Sequence, residues 1–188
     1  MKLLYCILVF IIILTTRFFI KKERSINKKS QLYYSTNEFH ILKTNWRIIS
    51  QECISIIKTM TYNYNNKEKY FDLIDNRSLI LNTLNICPNT IKLLAKIPNI
   101  IYAGFNILEA GSIIKEKRYN DCLMYFLCLN VSSDNQSGIF INNLNYVFNI
   151  GNDIIVNTNY NLIKYNISNY DSAILLLILD KTNNLSCN

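Results

Sequence analysis

The chain of 188 residues holds one histidine, four glycines and two prolines. Each scarcity excludes something. With His40 alone, no two-histidine metal site can form within the chain, including the His-His-carboxylate site of non-haem iron oxygenases. Sites built from cysteine and carboxylate stay open. Four scattered glycines supply neither a phosphate-cradling loop nor a nucleophile elbow. No two of the six cysteines stand as C-x-x-C, so the spacing of a zinc knuckle is missing. Surplus charge is also missing from most of the chain. Residues 31–188 carry thirteen cations and twelve anions, too even a balance for the electrostatic footprint of a nucleic-acid binder.

What is present begins at the N-terminus. The formal charge of +7 resides almost wholly in residues 1–30, where seven cations face Glu23 alone. Leu3 to Leu14 is an unbroken apolar run, and Phe18 to Ile20 extend it past Thr15, Thr16 and Arg17. The 18 residues approach the ~20 that cross a bilayer. No small-x-small cleavage site follows, so the run reads as an uncleaved anchor over residues 1–20. The basic residues Lys21 to Lys29 form a juxtamembrane linker extending to residue 39. By the positive-inside rule they place the body on the cytoplasmic side.

The whole chain is rich in asparagine (28) and isoleucine (31), a bias expected of an AT-rich genome, as in a large DNA virus or a parasite. Five N-x-Ser sequons, at Asn76, Asn130, Asn135, Asn166 and Asn184, follow from that bias and would matter only in a lumenal body. Trp46, Ile49, Cys53, Ile56 and Met60 recur at helical spacing, predicting an amphipathic helix over 44–60 capped by Thr44. Tyr62 to Tyr70 reads as a polar loop. A short helix is predicted from Pro88 to before Pro98. Beyond it, 100–108, 122–131, 138–149, 153–157, 162–167 and 173–179 are short Ile/Tyr/Phe-rich runs separated by Asn, Gly, Asp and Ser. That punctuation predicts an all-β barrel or double-sheet jelly roll, with the helices packed outside.

Few residues offer chemistry. Cys6 falls in the anchor. Cys122 and Cys128 share one face of a strand, ~20 Å apart, and cannot bond to each other. Cys53, Cys87, Cys122, Cys128 and Cys187 are read as buried thiols, with a disulfide from Cys187 to one other as the alternative. His40 has no motif around it, and Glu116-Lys117-Arg118 reads as a solvated turn.

Order and spacing do resemble a family. Asn45-Trp46-Arg47-Ile48-Ile49 with Glu52, then Cys87-Pro88-Asn89-Thr90 and Ile97-Pro98, are similar to segments of the aspartyl/asparaginyl β-hydroxylases. So are Ala103 to Ser112, Tyr125-Phe126-Leu127-Cys128-Leu129, Phe148-x-x-Gly151, Asn157 to Asn166, and Leu179-Asp180. The pieces are collinear over about residues 40–181. The resemblance implies a double-stranded β-helix of jelly-roll or cupin type. The expected architecture is therefore mainly β with N-terminal helices, a hydroxylase-like domain over 40–188 behind one transmembrane helix.

The resemblance also implies Fe(II) and 2-oxoglutarate, which the site positions do not suit. The family's metal histidines align with Lys117 and Leu162, its R-Y-H arginine and histidine with Met124 and Phe126, and its late co-substrate arginine with Ser172. The F-D-D-S acidic pair becomes Asn157 and Thr158. No arginine follows Arg118, so the last strands lack the bidentate fork that a dicarboxylate wants. The expected protein is a membrane-anchored pseudoenzyme without metal or cofactor, kept as a protein-binding or structural module that binds no nucleic acid. The rival expectations are an active dioxygenase drawing ligands from Glu116, Asp121 or Cys122, and a disulfide-stabilised surface or virion protein.

Overall fold

A computed structural model describes residues 36–59, 67–116, 122–132, 135–159 and 161–180. The chain divides between Tyr34 and Ser35, and every described residue belongs to the second unit. The expected anchor, most of the expected linker and Cys187 lie outside the described residues. Among those described, no helix is long and apolar enough to cross a membrane.

Two helices come first, α1 (Thr36–Thr44) and α2 (Trp46–Thr59). Then follow β1 (Glu68–Asp75), β2 (Ser78–Leu79), α3 (Thr83–Ile86) and α4 (Pro88–Leu94). Eight further strands complete the body: β3 (Ile100–Leu108), β4 (Ser112–Lys115), β5 (Cys122–Asn130), β6 (Ser137–Ile141), β7 (Leu144–Val147), β8 (Asp153–Asn157), β9 (Leu162–Asn166) and β10 (Ser172–Asp180). They form a six-stranded sheet, β2-β1-β3-β10-β5-β8, and a four-stranded sheet, β4-β9-β6-β7. All pairings are antiparallel. This is the mainly β jelly roll with N-terminal helices that the strand spacing predicts, of the cupin-like type that the resemblance implies.

The sequence of β5 shows why the layers stack. Cys122, Met124, Phe126 and Cys128 alternate onto the inner face, where they cluster with Ile139 and Ile141 of the small sheet. The residues between them face the helices. Tyr125 stacks on Phe39 of α1 with ring centroids 4.4 Å apart, and Ser50 of α2 donates to Leu129 O at 3.2 Å. With both faces covered, β5 and β10 are buried at every position but the last and read as continuous apolar runs. Each large side chain so buried contributes about 1.5–3 kcal/mol.

Three local expectations need correction. Thr44 does not cap the helix after it; its hydroxyl donates to His40 O at 2.8 Å and closes α1. The run 138–149 is a hairpin, because Asn142 and Asn143 both adopt positive φ (49° and 66°), the mark of a type I′ turn. The end of the polar stretch 62–70 is strand, since Glu68, Lys69 and Tyr70 pair with Leu108, Ile107 and Asn106.

The motif residues brace one another. The Glu52 carboxylate on α2 accepts from the backbone N–H groups of Asn89 (3.0 Å) and Thr90 (2.8 Å), and from their side chains (2.9 and 2.5 Å). It thereby caps the first turn of α4, just after Pro88. Gly151 has φ +78°, and a Cβ there would meet Trp46 Nε1 at 2.9 Å. Glu52→Ala should lower stability by about 2 kcal/mol, because buried Thr90 loses its acceptor. A urea unfolding midpoint equal to that of the parent chain would refute this role for Glu52.

Candidate functional site

In a jelly roll the space between the two sheets is where a site can be built, and inward-facing positions decide its chemistry. On β5 these include Met124 and Phe126, on β9 Leu162, and on β10 Ser172, Ile174, Leu176 and Ile178. Met124, Phe126 and Leu162 belong to one apolar cluster with Leu108, Phe148 and Val156, and none is more than 7 % exposed. Phe126 and Phe148 lie 6.4 Å apart, centroid to centroid, at 40°. Ser172 stands opposite Leu108 at the far end of the inward row of β10, its hydroxyl buried and without a hydrogen-bond partner among the described residues. Lys117 and Asp121 lie outside the described residues.

Beside the apolar cluster is a cavity of about 600 Å³. Its lining includes the apolar Met124, Leu176 and Ile178 and the polar Glu68, Tyr70 and Glu116. The polar lining residues belong to a constellation that sequence reading misses. Lys164, two residues beyond Leu162 on β9, is fully buried. Its ammonium ion-pairs with Glu68 and with Glu116, donates to Asn106 Oδ1 at 2.8 Å, and lies 3.3 Å from Tyr70 Oη. Burial, and then the nearby Glu116 and Glu68 carboxylates, push the Tyr70 phenol far above its ordinary range, so it stays protonated.

A second buried polar group is structural. Asn166 donates to Leu108 O (2.9 Å) and Tyr170 O (2.8 Å), and accepts from Ser137 and Ser168 hydroxyls (2.7 Å each). Fully enclosed, its amide is no glycan acceptor in the folded chain. His40 is exposed on α1, away from the sheets' inner faces.

The cysteines are equally unpromising. Cys53, Cys87, Cys122 and Cys128 are buried, and none is in a disulfide. Burial pushes Cys128 up to about 12; burial and then Cys87 do the same to Cys53, and burial and then Glu52 to Cys87. Such thiols are protonated at neutral pH and poor ligands. Among the described residues, no three His, Cys, Asp or Glu side chains are grouped so as to hold a metal ion.

The matching family model is that of the aspartyl/asparaginyl β-hydroxylases, and it covers residues 43–179. The chain belongs to the aspartyl/asparaginyl β-hydroxylase family. No curated protein matches its sequence. Among solved structures, it is similar to a Photorhabdus luminescens protein (17 % identity, 45 % of this chain and 66 % of that one, TM-score 0.38). It is also similar to the Cupin_2 domain of an XRE-family transcriptional regulator from Enterobacter cloacae (10 %, 61 % and 97 %, 0.44) and to the Cnp3 cupin domain of Schizosaccharomyces pombe (15 %, 65 % and 71 %, 0.45). The chain thus spans just under two thirds of the first of these.

At the positions that the resemblance assigns to the family's ligands, the donor set does not suit iron. A hydroxylase barrel implies Fe(II) and 2-oxoglutarate. Leucine, methionine and phenylalanine offer iron no nitrogen or oxygen, and Ser172 cannot grip a dicarboxylate as arginine does. Of the alternative ligands, Glu116 is committed to Lys164, and Cys122 lies buried on the inner face of β5. The residues described here do not fit the metal or its co-substrate.

Proposed function

We propose that this β-hydroxylase relative is a membrane-anchored pseudoenzyme. The observation that carries this reading is the union of Met124, Phe126 and Leu162, three positions of the expected site, in one apolar cluster. Loss of one ligand would leave a crippled metal site. Three apolar residues packed together leave a hydrophobic core, stabilised by being dry. The retained fold then serves as a structural or protein-binding module, with the cavity between the sheets as the contact region. The apolar run over residues 1–20 supplies the anchor, and the basic flank places the body on the cytoplasmic side.

The test is turnover. Full-length chain incubated with Fe(II), ascorbate and 2-oxoglutarate should release no succinate above the protein-free blank, with or without Asp- and Asn-containing peptides. Succinate released in multiple turnovers per chain would overturn the pseudoenzyme reading and restore the dioxygenase with divergent ligands.

A further inference from the structure

Lys164 is the least expected residue inside the barrel. A lysine is almost never fully buried unless it is paired. Here its partners come from both sheets: Glu68, Tyr70 and Asn106 from β1 and β3 of the large sheet, Glu116 from the residue after β4 in the small one. An ammonium has three N–H donors, and the three oxygens nearest to it belong to Glu68, Glu116 and Asn106. The hydroxyl of Tyr70, at 3.3 Å, is a fourth oxygen, and the ammonium also lies 5.4 Å from the centre of the Tyr70 ring. Both carboxylates are close to nine-tenths buried, with side-chain exposures of 11 % and 9 %. Without a cation between them, two like charges would face each other in a low-dielectric interior.

We propose that the oxygens of Glu68, Tyr70, Asn106 and Glu116 form a cation site between the two sheets, and that the Lys164 ammonium is its permanent, tethered occupant. The site is separate from the family's histidine positions, one of which, Leu162, lies within the neighbouring apolar cluster. Two carboxylates, an amide carbonyl and a hydroxyl are all hard oxygen donors of the kind that hold a divalent ion. The lysine excludes such an ion by occupying its place. The barrel thus carries its own cation and closes without a metal. The proposal is independent of turnover, so the succinate assay and the experiment below can fail separately.

The probe is Mn²⁺ alone, added to the full-length chain and to Lys164→Ala, with thermal unfolding followed by circular dichroism. Removing the ammonium should lower the midpoint by roughly 10 °C or more. Millimolar Mn²⁺ should then raise the Lys164→Ala midpoint saturably and leave the parent chain unmoved. No rise in the variant, or an equal rise in the parent chain, would overturn the proposal. Should Lys164→Ala fold at no Mn²⁺ concentration, the comparison passes to Lys164→Met alone and combined with Glu68→Gln and Glu116→Gln. Recovery of at least half the lost midpoint in the triple variant supports a cation held by its two carboxylates. A triple variant as damaged as the single one contradicts it.

Discussion

Phe126→Ala is expected to lower stability by about 3–5 kcal/mol, the usual cost of emptying a fully buried aromatic position. For a domain of this size that corresponds to a fall in Tm of roughly 6–20 °C. The reason lies in its place on the inner face of β5, fully buried, next to Phe148 and between the two sheets. In a working metal site the same position would be a polar group that could be removed with modest loss of stability and total loss of activity. The structure assigns it the opposite balance. Thermal unfolding of the variant decides the matter: a Tm within 2–3 °C of the parent chain, about the effect of a single kcal/mol, would mean that Phe126 is not core.

Leu162→His is the more informative substitution, because it restores the residue type that the family pattern would have at that position. A single restored histidine should fail to restore iron binding and should cost about 2–4 kcal/mol. The imidazole would enter an apolar cluster, lose the leucine contacts and leave ring nitrogens without partners. Non-haem iron needs several nitrogen or oxygen donors converging on one point, and the Met124 and Phe126 side chains supply neither. Equilibrium unfolding in urea reads the stability loss, and anaerobic dialysis against Fe(II) reads the metal content. A variant that is as stable as its parent and holds stoichiometric iron would show that the cluster is a metal site with one ligand missing.

Much of the β architecture was legible because burial on both faces writes long apolar runs. β5, β10 and β3 declare themselves through the runs Cys122 to Val131, Ala173 to Leu179 and Ile100 to Leu108. β1 did not. Glu68, Tyr70 and Asp72, which line the cavity, are polar, and Tyr70 and Asp72 are exposed, so the alternation carries no apolar face there; Lys69 adds to the polar texture. β4 escaped notice because four residues carry too short a pattern. The hairpin at Asn142-Asn143 was hidden by the abundance of asparagine, which makes a turn signal hard to tell from background.

The site divides in the same way. That Met124, Phe126, Leu162 and Ser172 fall where the family pattern has ligating residues is an expectation from the resemblance alone. That the first three lie in one cluster required the fold. The Lys164 centre was not legible at all, since Glu68 and Asn106 stand 96 and 58 residues from it in the chain and only the sheet registers bring them together. Glu116, read as part of a solvated turn, is instead drawn inward by the same ammonium.

The most direct measurement of the central claim is an anaerobic titration of the full-length chain with Fe(II) in the presence of 2-oxoglutarate, following the visible charge-transfer absorption of the iron–oxoacid chelate. With Leu162, Met124 and Phe126 forming a hydrophobic core, absorbance should rise no further than in a protein-free control. A saturable band reaching one iron per chain would contradict the account.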